Sequence, residues 1–61
     1  MNAALHHVEP RLTDEHRVWL NAPERRSMLT AEFVVQFIHR FGLHPRIAGR
    51  ILSQWVRELA Q

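Results

Sequence analysis

Three arginines carry the strongest chemical signal in this 61-residue chain. Arg46, Arg50 and Arg57 follow one another at spacings of four and seven. At about 100° per residue, a helix places them within about 40° of one another, with Ser53 among them. A guanidinium donates paired hydrogen bonds to phosphate, to carboxylate, or to the O6 and N7 edge of guanine. One such group on a surface is ordinary. Three along one helical face make a cationic stripe that suits the major groove of a nucleic acid duplex. Arg46 is mildly telling, because a cation in the first turn opposes the helix dipole. Arg40 and the Arg25–Arg26 pair are further candidates for phosphate contacts, which set affinity and register. The plainer reading is that these arginines form a solvated face, and that Pro and Gly only punctuate a helical hairpin.

Other chemistry finds little support. His6, His7, Glu9 and His16 cluster in sequence and invite a metal. Zinc takes three or four convergent ligands, commonly including Cys or a helical His-x-x-x-His pair. The chain has neither. Adjacent His6 and His7 point different ways in any regular structure. The histidines therefore read as exposed or capping groups, His39 beside Arg40 as a solvent-face residue, and no metal or cofactor is expected. Catalysis has no foothold either. The hydroxyls of Thr13, Ser27, Thr30 and Ser53 read as caps or surface groups. The acids Asp14, Glu15, Glu24, Glu32 and Glu58 are scattered and fit dipole or i,i+4 roles. A chain this short has no room for a deep pocket, so an enzyme is not expected.

The arginine stripe needs a helix with a defined start. His44 is a tolerable cap, and Pro45 fits the first helical position, where its missing N–H costs nothing. Ile47, Ala48, Ile51, Leu52, Trp55, Val56 and Leu59 recur at i, i+3, i+4 and make the opposite, apolar face. Trp55, mid-stripe, reads as a core anchor. Gly49 lowers helix propensity by roughly 1 kcal/mol and suggests close approach of a backbone, a phosphate or another helix. Ahead of this helix, Gly42 is a C-terminal stop, free to take a positive φ. The helix it ends starts at an expected Thr30 N-cap, with Leu29 and Val34 spaced for a hydrophobic staple. Its apolar residues from Phe33 to Phe41 spread over about 200°. That arc is wider than one core contact needs, and Val35 at its edge is a candidate contact to a second subunit. A first helix is expected from Thr13, as cap, to about Asn21, stopped before Pro23. Leu12, Val18, Trp19 and Leu20 supply its apolar contacts. Trp19 fits either the core or an interface anchor. Residues 23–28 form a connector with room for one further turn. The class is all-α, with three helices or four.

Size and charge bound the rest. Residues 1–11 read as a mobile N-terminal arm and residues 12–61 as one helical domain. A chain of this length buries only about 60% of its unfolded surface, and it has no cysteine for a disulfide. A partner subunit or target surface is therefore expected, with a homodimer as the simplest case. No apolar run nears the roughly 18 residues of a membrane span, and no secretory signal pattern opens the chain. A cytoplasmic protein is the default. The sequence pI of 11.2 overstates the field at neutral pH. Net charge is only +2, and all eight basic residues are arginine. Where they sit matters more than their number.

The run Gly-Leu-His-Pro-Arg-Ile-Ala-Gly-Arg-Ile-Leu, residues 42–52, resembles the helix-turn-helix of bacterial transcriptional regulators. There, a Gly-Val/Leu-Ser-Pro turn leads into a helix ending Val-Ser-Arg-Val/Ile-Leu. Gly42, Leu43 and Pro45 match the turn, Ala48 and Ile51 the buried positions, and Arg50 the outward arginine. Two positions depart from the pattern. Ile38 stands where a small residue lets the two helices approach, and His44 where Ser or Thr caps and binds phosphate. A weaker likeness, Phe-Gly-Leu-His-Pro-x-Ile before Gly-Arg, is to a helical segment of some phage and toxin–antitoxin regulators. The resemblance implies a DNA-binding regulator or antitoxin-type factor of a bacterium or mobile element. It would bind double-stranded DNA as a dimer through His44, Arg46, Arg50, Ser53, Arg57 and Arg40. The reading from a different class is a non-enzymatic interaction module, such as a phage-encoded inhibitor, that docks its apolar face on a host protein.

Overall fold

The computed structural model describes residues 10–61 and contains three α-helices and one 3-10 turn. Helix α1 spans Asp14–Leu20, the 3-10 turn Pro23–Ser27, α2 Thr30–Phe41 and α3 Pro45–Leu59. The all-α expectation holds. Residues 1–9 of the expected arm lie outside the described residues.

Local signals set most of the boundaries. Thr13 is extended, and its hydroxyl accepts from the His16 N–H at 3.2 Å. The Thr13 N–H donates to His16 Nδ1 at 3.0 Å. This is a capping box, with histidine where Glu or Gln usually stands. At the far end of α2, Gly42 takes φ 61°, and it and Leu43 both donate to the Ile38 carbonyl. A side chain at such a φ costs on the order of 1 kcal/mol, which is why glycine stops the helix here. His44 then caps α3, its Nδ1 accepting from the Arg46 N–H at 3.1 Å, with Pro45 first in the helix.

The start of α2 differs from expectation. Leu29, not Thr30, is the N-cap, without a side-chain hydrogen bond. Starting one residue earlier lets the Leu29 carbonyl accept from the Phe33 N–H at 2.9 Å, a backbone bond gained in place of a side-chain cap. Leu29 is also 76% exposed, so the staple expected against Val34 does not bury it.

Phe37 is fully buried (0% exposed) at the centre of the core, which it shares with Leu20, Ala48 and Ile51. Aromatic rings surround it. Trp19 and Phe41 stand at 5.7 and 5.2 Å between centroids, and the His16 ring edges against Phe37 and Phe41 at 5.6 and 4.7 Å. His16 is therefore a buried cap and core residue. Its place in the expected first helix does not reveal this, because Phe37 and Phe41 reach it from another helix. Trp55 is half-buried against Phe33, at 5.8 Å, and its indole N–H donates to Asn21 Oδ1 at 3.1 Å. That bond satisfies the polar edge of an otherwise apolar anchor.

Three residues read as apolar contacts are exposed: Val18, Val56 and Leu59. The stripe on α3 is longer than the element it faces. Trp55 already meets Phe33 in the first turn of α2, and only the short 3-10 turn lies beyond to cover Val56 and Leu59. Gly49 has open space around the position of a Cβ, so nothing within the described chain requires a glycine there.

One ion-pair cluster ties α1 to α3. Arg17 donates to Glu58 through Nε and Nη2, each at 2.9 Å, and to Asp14 at 2.8 Å. The hydrogen bond from Arg17 holds the Glu58 carboxyl below its ordinary pKa; desolvation opposes it, and the Arg17 charge adds a lesser lowering. A depressed carboxylate stabilises the fold above its unfolded pKa, and that contribution disappears as pH falls through the folded value. Arg17 is pushed up in turn, chiefly by the bond to Glu58, which adds no pH dependence near neutrality. The expected result is that Glu58→Gln lowers Tm at pH 7 and makes no difference once both proteins are well below about pH 4. Circular dichroism melts at both pH values check this. An equal Tm difference at both would exclude the linkage. The effect is modest, because both groups face water.

Candidate nucleic-acid interface

Helix α3 is held in one rotational setting by its buried side. Ala48 and Ile51 are sealed in the core, with Ile47 and Leu52 half-buried beside them. Turning the helix would expose these groups, so Arg46, Arg50, Ser53 and Arg57 are forced outward together. All four are exposed.

Among the described residues the charge on this face is uncompensated. Among the described residues the ion pairs are those of Arg17, with Asp14 and with Glu58. Glu58 is the single acid on α3, and it is turned away to Arg17. No acid lies in the first turn, where the dipole would favour one. Three guanidinium groups on one face without a counter-charge repel one another and concentrate positive potential outward. His44, at the head of the stripe, is exposed but has its Nδ1 committed to the Arg46 N–H. Only its Nε2 remains for a ligand.

The other candidates lie elsewhere. Arg40 places its guanidinium 4.9 Å above the Phe41 ring and lines a shallow cleft with Asp14, Glu15, Val18 and Trp19. It therefore borders α1 and its acids, one helix removed from the stripe. Arg25 covers the Trp19 ring at 3.9 Å, and its buried Nε has no hydrogen-bond partner. Arg26 is exposed at a separate cleft beside Asn21 and Leu59. Trp19, with Phe33, Phe37 and Phe41 around it and Arg25 above, is packed within the chain. An interface role would require Arg25 to move. Val35 is 52% exposed on α2 and free for a contact.

Two residues were not singled out by pattern. Arg11 falls in the expected arm, and the pattern gives Gln54 no role. The structure joins them: the Gln54 carboxamide holds the backbone on both sides of Arg11. Nothing in the spacing of the sequence foretells a contact across more than forty residues.

Among the described residues no three His, Asp or Glu side chains converge as metal ligands; His6, His7 and Glu9 lie outside them. Among the described residues no helix is long and apolar enough to cross a membrane. No protein-family model matches the chain, and neither does any curated protein or solved structure.

Proposed function

We propose that this chain is a small helix-turn-helix protein that lays α3 in the major groove of double-stranded DNA. The observation that carries this is the exposed Arg46–Arg50–Arg57 face, which no acid among the described residues pairs with. Arg46 and Arg50, near the start of the helix, are placed to read guanine edges. Arg57, Ser53 and the free Nε2 of His44 supply phosphate contacts. The three-residue turn with left-handed Gly42 and helix-opening Pro45 supports the likeness to regulator motifs, and with it a role as regulator or antitoxin-type factor in the cytoplasm. Two copies would present two recognition helices to paired half-sites, with Val35 as a candidate contact between them.

Fluorescence anisotropy of a labelled random-sequence duplex, at low and physiological salt, tests the reading. Micromolar binding that weakens steeply with salt, with a slope worth several phosphates, supports it. No binding below about 100 µM at low salt ends it, because non-specific affinity is already present there for a DNA-binding face.

One observation favours a second reading, a module that binds a host protein. Met28, Val34, Leu52 and Val56 line a shallow apolar cleft of about 410 Å³ between α2, α3 and the 3-10 turn, and Val56 is 57% exposed. Affinity for a protein that survives high salt, with none for DNA, would favour it.

A further inference from the structure

The Gln54 carboxamide grips the segment that leads into α1. Its Nε2 donates to the Pro10 carbonyl at 2.8 Å, and its Oε1 accepts from the Leu12 N–H at 2.9 Å. A neighbouring strand would make the same two bonds to that backbone. Arg11, between them, is thereby fixed along α3. Leu12 packs on the core while Arg11 is exposed, the alternation of an extended chain.

Gln54 sits one turn beyond Arg50 and three residues before Arg57. Around the helix it lies about 40° from the first and 60° from the second. The clamp therefore delivers Arg11 to the flank of the arginine face. Arg11 shares a surface depression with Glu58, yet among the described residues it makes no ion pair, since Glu58 is bound by Arg17.

We infer that Arg11 is a fourth cation of the α3 surface, contacting the phosphate backbone beside the groove, and that Gln54 is the positioning residue that holds it there. This rests on the DNA reading above. A cation held in place by its backbone loses less freedom on binding than one on a loose tail. The contact carries no sequence information, so its signature is a uniform loss of affinity with a smaller salt dependence.

The test is the salt dependence of duplex binding for the wild type, Arg11→Ala, Gln54→Ala and the double variant. Arg11→Ala is expected to reduce the slope of log K against log salt by about 0.9. Gln54→Ala is expected to reproduce that loss with Arg11 still present, and the double variant to lose no more. A Gln54 that merely supports the fold would weaken binding equally in the Arg11→Ala background, which would overturn its positioning role. An unchanged slope for Arg11→Ala, with Arg46→Ala/Arg50→Ala still abolishing binding, would overturn this inference alone. A wild type that does not bind would overturn it together with the DNA reading. Arg11 is exposed, so its variant folds and answers the question even where Gln54→Ala does not.

Discussion

The double variant Arg46→Ala/Arg50→Ala is expected to lose duplex binding and keep its fold. A bidentate arginine–guanine pair discriminates by about 1–3 kcal/mol. On a duplex that carries the guanines they read, two such pairs together are worth about 2–6 kcal/mol, or roughly 30-fold to more than 10,000-fold in Kd. Stability runs the other way. Both side chains are exposed and unpaired among the described residues, alanine is the better helix former, and removing Arg46 relieves a cation at the positive end of the helix dipole. The melting temperature should therefore stay level or rise slightly. Arg40→Ala is the informative control. It removes the same charge, but from a side chain beside the acids of α1, and it should leave most of the affinity in place. Anisotropy titrations with circular dichroism melts on the same samples check all three proteins. Equal loss from Arg40→Ala would mean that net charge, not the α3 face, binds the duplex. Unchanged binding in the double variant would falsify the proposed function.

Phe37→Ala has the largest effect expected on stability. Among the described residues Phe37 is the only large side chain entirely sealed from solvent, and it touches the aromatic groups of α1 and its own helix at once. Removing a buried phenyl ring costs about 3–5 kcal/mol, because the cavity closes only in part. A domain of this size has about 3–9 kcal/mol in total. Little or nothing is then left, and the variant should show no cooperative melt at room temperature and above. Val35→Ala lies on the same helix but is half exposed, and it should cost a monomer almost nothing. If the chain dimerises through that face, the Val35 variant instead loses the concentration dependence of its Tm. A Phe37→Ala protein that melts cooperatively within a few degrees of the wild type would mean that the core is built around another residue.

Much of the framework is legible in the sequence, because its causes are local. Thr13 caps α1 through a hydroxyl three residues from its partner. Gly42 stops α2 because it alone takes the left-handed conformation freely. Pro45 opens α3 because its missing N–H is no loss there. The outward arginine face follows from the 3.6-residue period and the apolar positions opposite it. Each of these needs only a handful of neighbouring residues to be known.

What was not legible involves partners distant along the chain. His16 reads as an exposed or capping group; the cap is local, but its burial comes from Phe37 and Phe41, which close on it from α2. Trp19 reads as a core candidate first and an interface anchor second, and Arg25 over its ring with the phenylalanines around it places it within the chain. Val56 and Leu59 belong to a continuous apolar stripe, yet the helix they face ends before it covers them. Gln54 has no pattern at all, and only the path of the chain brings Pro10 and Leu12 to its amide. Capping, turn chemistry and helical periodicity act over one or two turns, and the residue types alone therefore determined the elements and which face of each is charged. Burial and cross-chain hydrogen bonds depend on the lengths and crossings of whole elements, so the tertiary structure decided which apolar residues are covered, which arginines remain free, and where Arg11 is held.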